Sequence, residues 1–160
     1  MKVLVISDTH GYISNSKKAI DSNPGIEAVI HLGDYYKDAV RLSELYPNIK
    51  FEFVSGNCDG SNKAICSEKT LEIENNRIFI THGHNYSVKW SYRSILERAK
   101  AENAKLVLFG HTHIAIIEKI NNVLLLNPGS VTQSRSNLPE SYAILDISDV
   151  EIKTDIYYIW

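Results

Sequence analysis

Short runs of β-branched and aliphatic residues recur along this chain, and most of them stop abruptly at a polar cluster. Residues 3–6 are a continuous apolar run of strand length, the pattern of a strand buried on both faces, 28–32 read as a second buried strand, and 51–54 is a third strand. Between them lie helical spacings. Residues 15–22 predict a short helix with Ser14 or Asn15 as N-cap and Asn23-Pro24-Gly25 as its stop. Residues 38–46 predict another, with Ala39, Leu42 and Leu45 on one face and Pro47 ending it. Strand, helix, strand, helix, strand implies a parallel α/β half.

The pattern then changes. Residues 70–74 and 77–81 read as a hairpin around Asn75-Asn76, and 114–120 and 123–126 as another around Asn121-Asn122, since Asn tolerates positive φ. Between the hairpins, 91–102 predict a helix with Tyr92, Ile95, Leu96 and Ala99 on one stripe, followed by a strand at 106–109 that Gly110 breaks. Asn127-Pro128-Gly129-Ser130 reads as a turn and 133–141 as a mobile polar loop. A last antiparallel pair, 142–147 and 151–159, turns at Ser148-Asp149. The sum is an α/β protein, two sheets packed together with helices outside, in one domain over residues 1–160.

Composition narrows the class. A chain of 160 residues can bury a substantial core without staples. The net charge of −2 offers no basic field for nucleic acid or an anionic membrane. Two cysteines, Cys58 and Cys66, make no secreted disulfide framework, so reduced thiols and a cytoplasmic location are expected. The initial apolar run is too short for a signal peptide, and no run approaches the length of a membrane span. The apolar end, Ile156 to Trp160, either covers the core as a last strand, the preferred reading, or forms a homodimer or homotetramer interface.

The polar clusters carry the chemistry. Just past successive strands lie Asp8 and His10, Asp34, Asn57, His82 and His84, and His111 and His113. Each alone is ordinary: an aspartate caps a helix, an asparagine turns a chain, a histidine sits hydrogen-bonded in a core. Together they bring carboxylates, imidazoles and an amide to the carboxyl ends of strands, where α/β folds place their ligands. That donor mix suits Mn, Fe, Zn, Ni or Co better than Ca or Mg, and it is not a thiolate zinc site. Seven or eight ligands are too many for one transition ion but enough for two sharing a carboxylate.

Asp8-Thr9-His10, Gly33-Asp34, Gly56-Asn57-Cys58-Asp59, His82-Gly83-His84 and Gly110-His111-Thr112-His113 resemble, in order and spacing, the calcineurin-like metallophosphoesterase superfamily. The chain is most similar to its small YfcE/YsnB-type phosphodiesterase branch, whose signatures 83–89 and 127–130 also resemble. The resemblance implies a four-layer α/β/β/α sandwich of two mixed sheets flanked by helices. It implies a dinuclear metal centre, with Asp8, His10 and His113 on the first ion, Asn57, His82 and His111 on the second, and Asp34 bridging. Two divalent ions are expected, Mn2+ first, with Ni2+, Fe2+, Zn2+, Co2+ or Mg2+ as alternatives. A bridging hydroxide would then attack phosphorus in line, without a protein nucleophile.

Where the broad superfamily has a histidine after Gly-Asn, as candidate proton donor to the leaving group, this chain has Cys58. A thiol near its ordinary pKa is a poorer general acid than imidazole. Either good leaving groups need no acid, or His84 supplies the proton, and Cys58 is as readily a passive small residue. Asp59 is either a partner that orients a ligand or a turn carboxylate. Tyr35, Tyr36, Tyr86 and Arg135 are open to a place in the cleft or to surface packing. The expected substrate is a small phosphodiester or phosphomonoester. Membranes, and nucleic acid as a stable partner, are not expected. The competing reading is a non-catalytic protein-binding scaffold of the same fold, like the retromer subunit. The complete ligand set favours catalysis.

Overall fold

A computed structural model describes residues 1–60 and 64–160. Among the described residues, ten strands form two five-stranded mixed sheets. In the first sheet, β1 (Lys2–Ile6), β2 (Ala28–His31) and β3 (Lys50–Phe53) run parallel, joined by α1 (Ser14–Asp21) and α2 (Tyr36–Leu45). In the second, β4 (Glu68–Ile73) and β5 (Asn76–Thr81) form the first hairpin, and α3 (Arg93–Ala101) leads to β6 (Leu106–Leu108). Strands β7 (Ala115–Ile120) and β8 (Val123–Pro128) form the second hairpin, and β5, β6 and β8 are mutually parallel. The chain then returns to the first sheet, where β9 (Ser141–Ile147) pairs antiparallel with β1 and β10 (Ile152–Tyr158) with β9.

Alternation along the central strands explains the layering. Val3, Val5, Ile30 and Leu32 face Ile78, Ile80, Leu106, Leu108 and Leu126 across the space between the sheets. Leu4, Ile6 and Val29 point the other way, onto Ala19 and Ile20 of α1 and Leu42 of α2. On the far side, Phe79, Val107 and Leu125 pack against Ile95 and Ala99 of α3. Each central strand is therefore apolar on both faces. The result is the α/β/β/α sandwich that the resemblance implied.

Several local expectations are corrected. Helix α1 has Ile13 at its N-cap with no side-chain cap. Asn15 instead donates its amide to the carbonyl of Val131, 2.7 Å away, so a cross-chain bond outcompetes local capping. Helix α2 begins at Tyr36 rather than at Asp38, after the left-handed Tyr35. The first hairpin turns at Glu74-Asn75, both with positive φ, while Asn76 starts β5 and its amide ties Glu74 and Ser148 carbonyls. Strand β8 runs through Asn127 and Pro128, where only a turn was expected. A 3-10 turn at His84–Tyr86 gave no periodic signal. On β10, Ile152 and Ile156 lean on the core between the sheets while Trp160 lies exposed, which favours the core-covering reading for most of that end.

Candidate metal centre

The strand exits gather at one edge of both sheets. From the first sheet come Asp8 and His10 after β1, Asp34 after β2 and Asn57 after β3. From the second come His82 after β5 and His111 and His113 after β6. Backbone bonds lock the exits together: Asp8 N–H donates to Gly33 O, and Gly110 N–H to His82 O, each at 3.1 Å. One oxygen or nitrogen each from Asp8, His10, Asp34 and His113 lies within 4.8 Å of all the others. His113 Nε2 is 3.1 Å from Asp8 Oδ1 and 3.4 Å from His10 Nε2, and His10 Nε2 is 3.8 Å from Asp34 Oδ2. Alongside, His82 Nε2 lies 3.2 Å from Asn57 Oδ1 and 3.4 Å from Asp34 Oδ1. The His111 ring centroid is 5.1 Å from that of His82.

The proton inventory of this cluster fits cations. His113 Nδ1 is 2.7 Å from the Gln133 carbonyl, and His82 Nδ1 is 2.7 Å from the Leu32 carbonyl. A carbonyl accepts only, so in the neutral ring Nδ1 carries the hydrogen and Nε2 turns a lone pair inward. Those lone pairs face carboxylate oxygens, which also only accept. Among the described residues, Asp8 Oδ1 is buried with no hydrogen-bond partner. A buried carboxylate oxygen left so, ringed by imidazole lone pairs, is strongly unfavourable unless positive charge joins them. The other Asp8 oxygen, Oδ2, is fully occupied, accepting from Ser7 Oγ at 2.5 Å and His111 N–H at 3.2 Å. Burial raises the Asp8 carboxyl, and only positive charge on the neighbouring His113 and His82 rings, the place a cation would take, brings it below the ordinary value.

The backbone is bent to make this possible. Asp8, His10, Asp34, His111 and His113 all have positive φ, between 46° and 67°. Such conformations are uncommon for residues with a Cβ and cluster at functional sites. Glycines let the exits close up. A Cβ on Gly56 would sit 2.2 Å from Asp34 Oδ1, and one on Gly110 2.0 Å from Ser7 Oγ and 2.8 Å from Asp8 Oδ2.

A ring of residues without obvious motif character holds the ligands in place. His31 is completely buried. Its Nδ1 accepts from Gly33 N–H at 3.1 Å, which leaves Nε2–H to meet Thr9 Oγ1 at 3.0 Å, and Thr9 Oγ1 donates on to Asp34 O. Burial drives the His31 imidazole down to about 4, against the pull of Asp8 and Asp38. Ser130 and Thr132 hydroxyls both donate to Asp8 O at 2.9 Å, and Asn127 Nδ2 donates to Gly110 O at 2.8 Å. Asp38 accepts from Gly11 N–H. Only the Asn-Pro-Gly-Ser run signalled any of this in the sequence. His31 lies at the end of β2, before the Gly33-Asp34 exit, and belongs to none of the motifs.

The remaining expected residues separate by position. Asp59 accepts from Gly56 N–H at 2.7 Å and Tyr36 N–H at 2.8 Å, so it clamps the Asn57 loop to the start of α2 beside Asp34. Cys58 N–H donates to Asp34 Oδ1 at 2.9 Å, and desolvation together with Asp34 pushes its thiol up to about 11. The His84 ring centroid is 5.4 Å from that of His82, its Nδ1 is buried without a partner, and burial and His82 hold its imidazole low. Burial, His82 and Lys89 bring His111 down to about 4. These shifts keep His84 and His111 neutral, the state in which an imidazole can ligate a metal. Tyr35 stands edge-on to His10, with ring centroids 5.7 Å apart. Tyr36 is buried against Phe53 and does not line the cleft, and the Tyr86 hydroxyl is engaged by Glu68.

Known proteins bear on this arrangement. A family description, the calcineurin-like phosphoesterase superfamily domain, matches residues 1–150. The chain is 32% identical to a probable metallophosphoesterase, YsnB, of Bacillus subtilis, over 93% of this chain and 86% of that one. It is 31% identical to phosphodiesterase MJ0936 of Methanocaldococcus jannaschii, over 96% and 97%. A crystal structure of a predicted phosphoesterase from Streptococcus pneumoniae superposes with a TM-score of 0.82 at 28% identity, covering 98% of this chain and 88% of that one. Vps29 of Entamoeba histolytica, solved with zinc, shares the fold with a TM-score of 0.79 at 21% identity, covering 98% of each chain. On its matched length, the chain belongs to the calcineurin-like phosphoesterase superfamily.

Proposed function

We propose that this protein is a dinuclear metal-dependent phosphodiesterase. The observation that carries this reading is the inward convergence of acceptors: an unpartnered, buried Asp8 oxygen among imidazole nitrogens whose protons are already committed to backbone carbonyls. Asp8, His10 and His113 are assigned to one ion, and Asn57, His82 and His111 to a second. Asp34 serves both, since Oδ2 faces His10 and Oδ1 faces His82. Mn2+ is the first choice by donor type. When bound, two such ions supply the charge that clamps a phosphate and acidifies water into a nucleophile for in-line attack.

The chain's own part is positioning. Carbonyl-held imidazoles keep their lone pairs aimed before any ligand arrives, so little reorganisation is left for the reaction. Neither candidate acid suits the leaving oxygen: burial and His82 hold the His84 imidazole low and so unprotonated near neutrality, and the Cys58 thiol is held too firmly protonated, so good leaving groups that need no acid are favoured.

Hydrolysis of bis(4-nitrophenyl) phosphate with added Mn2+, compared with 4-nitrophenyl phosphate, tests the assignment. Preference for the diester is expected. Asp34→Asn is expected to lose metal and to cut turnover by about a hundredfold or more. Wild-type turnover with full metal content in that variant would remove Asp34 from its shared position. Silence of the wild-type protein across Mn2+, Ni2+, Co2+, Zn2+ and Mg2+ would instead favour the scaffold reading that the Vps29 fold likeness keeps open.

A further inference from the structure

Beside the histidine rim runs a groove of about 360 Å³, and none of its side chains has a place in the ligand set. It starts at Thr112, between His111 and His113 in the chain. Its apolar surface comes from Val88, Tyr92 and Ile116, and two cations, Lys89 and Arg135, border it. Both cations share the groove with Thr112. The Arg135 backbone N–H donates to the His113 carbonyl at 3.1 Å, which ties the main chain at that residue to the rim. Neither cation forms an ion pair with a carboxylate among the described residues. The groove therefore offers two cations and an aromatic, apolar surface beside Thr112.

Volume and lining fit a specific kind of occupant. Ligand sites of a few hundred Å³ hold ring-sized groups, with a few polar residues setting orientation. A tyrosine face flanked by aliphatic side chains takes a flat ring without demanding a particular hydrogen-bond pattern. An ammonium and a guanidinium together, with no carboxylate neutralising them, suit a phosphate better than a neutral alcohol.

We propose that this groove binds the part of the substrate beyond the reacting phosphorus, and that it takes a nucleoside carrying a second phosphate. The second phosphate lies between Lys89 and Arg135, and the base lies on Tyr92. Substrates of this class are phosphodiesters of nucleotides rather than simple aryl or alkyl diesters. The inference rests on the phosphoesterase reading of the adjoining rim.

Calorimetry with the Mn2+-loaded protein tests it. Thymidine 3′,5′-bisphosphate and thymidine 5′-monophosphate differ only in the second phosphate. The bisphosphate is expected to bind at least about tenfold more tightly, consistent with two charge-assisted contacts at an exposed site. Lys89→Gln and Arg135→Gln should each remove most of that preference, and Lys89→Arg should keep it. Equal binding of the two ligands by the wild type, or a preference that survives both glutamine substitutions, overturns the assignment. Cleavage of bis(4-nitrophenyl) phosphate by the same sample separates the two readings. Cleavage together with equal binding sinks the groove and leaves the phosphoesterase standing. No cleavage together with a cation-dependent preference keeps the groove as a nucleotide site and sinks the hydrolase.

Discussion

Cys58 and His31 show how differently two residues near one centre can matter. Cys58 is exposed, and its contribution to the site is its backbone N–H on Asp34 rather than its sulfur. Cys58→Ala keeps that bond and is expected to retain at least about a third of wild-type turnover on an aryl diester, whose leaving group needs little acid help. Collapse to the metal-free rate with metal still bound would give the thiol a chemical role. His31 is the reverse case, a buried ring whose Nδ1 must stay unprotonated to accept from Gly33. Its folded pKa, about 4, lies below the ordinary 6.5, so the unfolded chain takes up the proton first as pH falls. Its stabilisation is complete above about pH 6.5 and is lost as pH falls toward 4, the loss reaching about 2 kcal/mol by pH 5. Denaturant unfolding at pH 7 and pH 5 should show this loss in the metal-free wild type and a shallower one in His31→Gln. Equal slopes in the two proteins would mean that His31 is not the titrating group.

At the scale of elements, continuous apolar runs were readable because central strands are covered on both faces, and the motif residues because they follow those runs directly. Less readable were features set by distant contacts. Asn15 leaves its cap for Val131, Glu74 accepts a left-handed turn conformation, and Gln133, in a loop that reads as featureless, orients His113. None of these has a local signature, because the partner is supplied by the fold. Gly110 is the clearest element-level constraint. It lies between β6 and the His111–His113 loop, in contact with the Ser7-Asp8 exit of the other sheet. Gly110→Ala should cost roughly 1–3 kcal/mol through overpacking and should lower metal affinity by displacing Asp8. Unchanged melting and unchanged metal binding would show that the two exits have slack.

Across the whole molecule, the centre draws donors from both sheets, with Asp8, His10, Asp34 and Asn57 from one and His82, His111 and His113 from the other. An ion shared between them would fasten the two layers where the apolar contacts of the core give way to polar loops. Mn2+ at a hundredfold its dissociation constant should add about 2.7 kcal/mol, which for a chain of this size raises melting by about 5–10 °C. Chelator should reverse the shift, and Asp34→Asn should show little of it. An identical melting temperature with and without metal would mean that the ions do not join the layers.

The left-handed backbone at five of the seven donors has a historical consequence. Each such residue costs the fold about 1 kcal/mol or more, a load that bound ions would offset and an idle protein would carry for nothing. A lineage that abandons hydrolysis is free to place asparagine or glycine at those bends and become sturdier by doing so. In this architecture the scaffold can outlive its reaction, and decay of the centre strengthens the body that once served it.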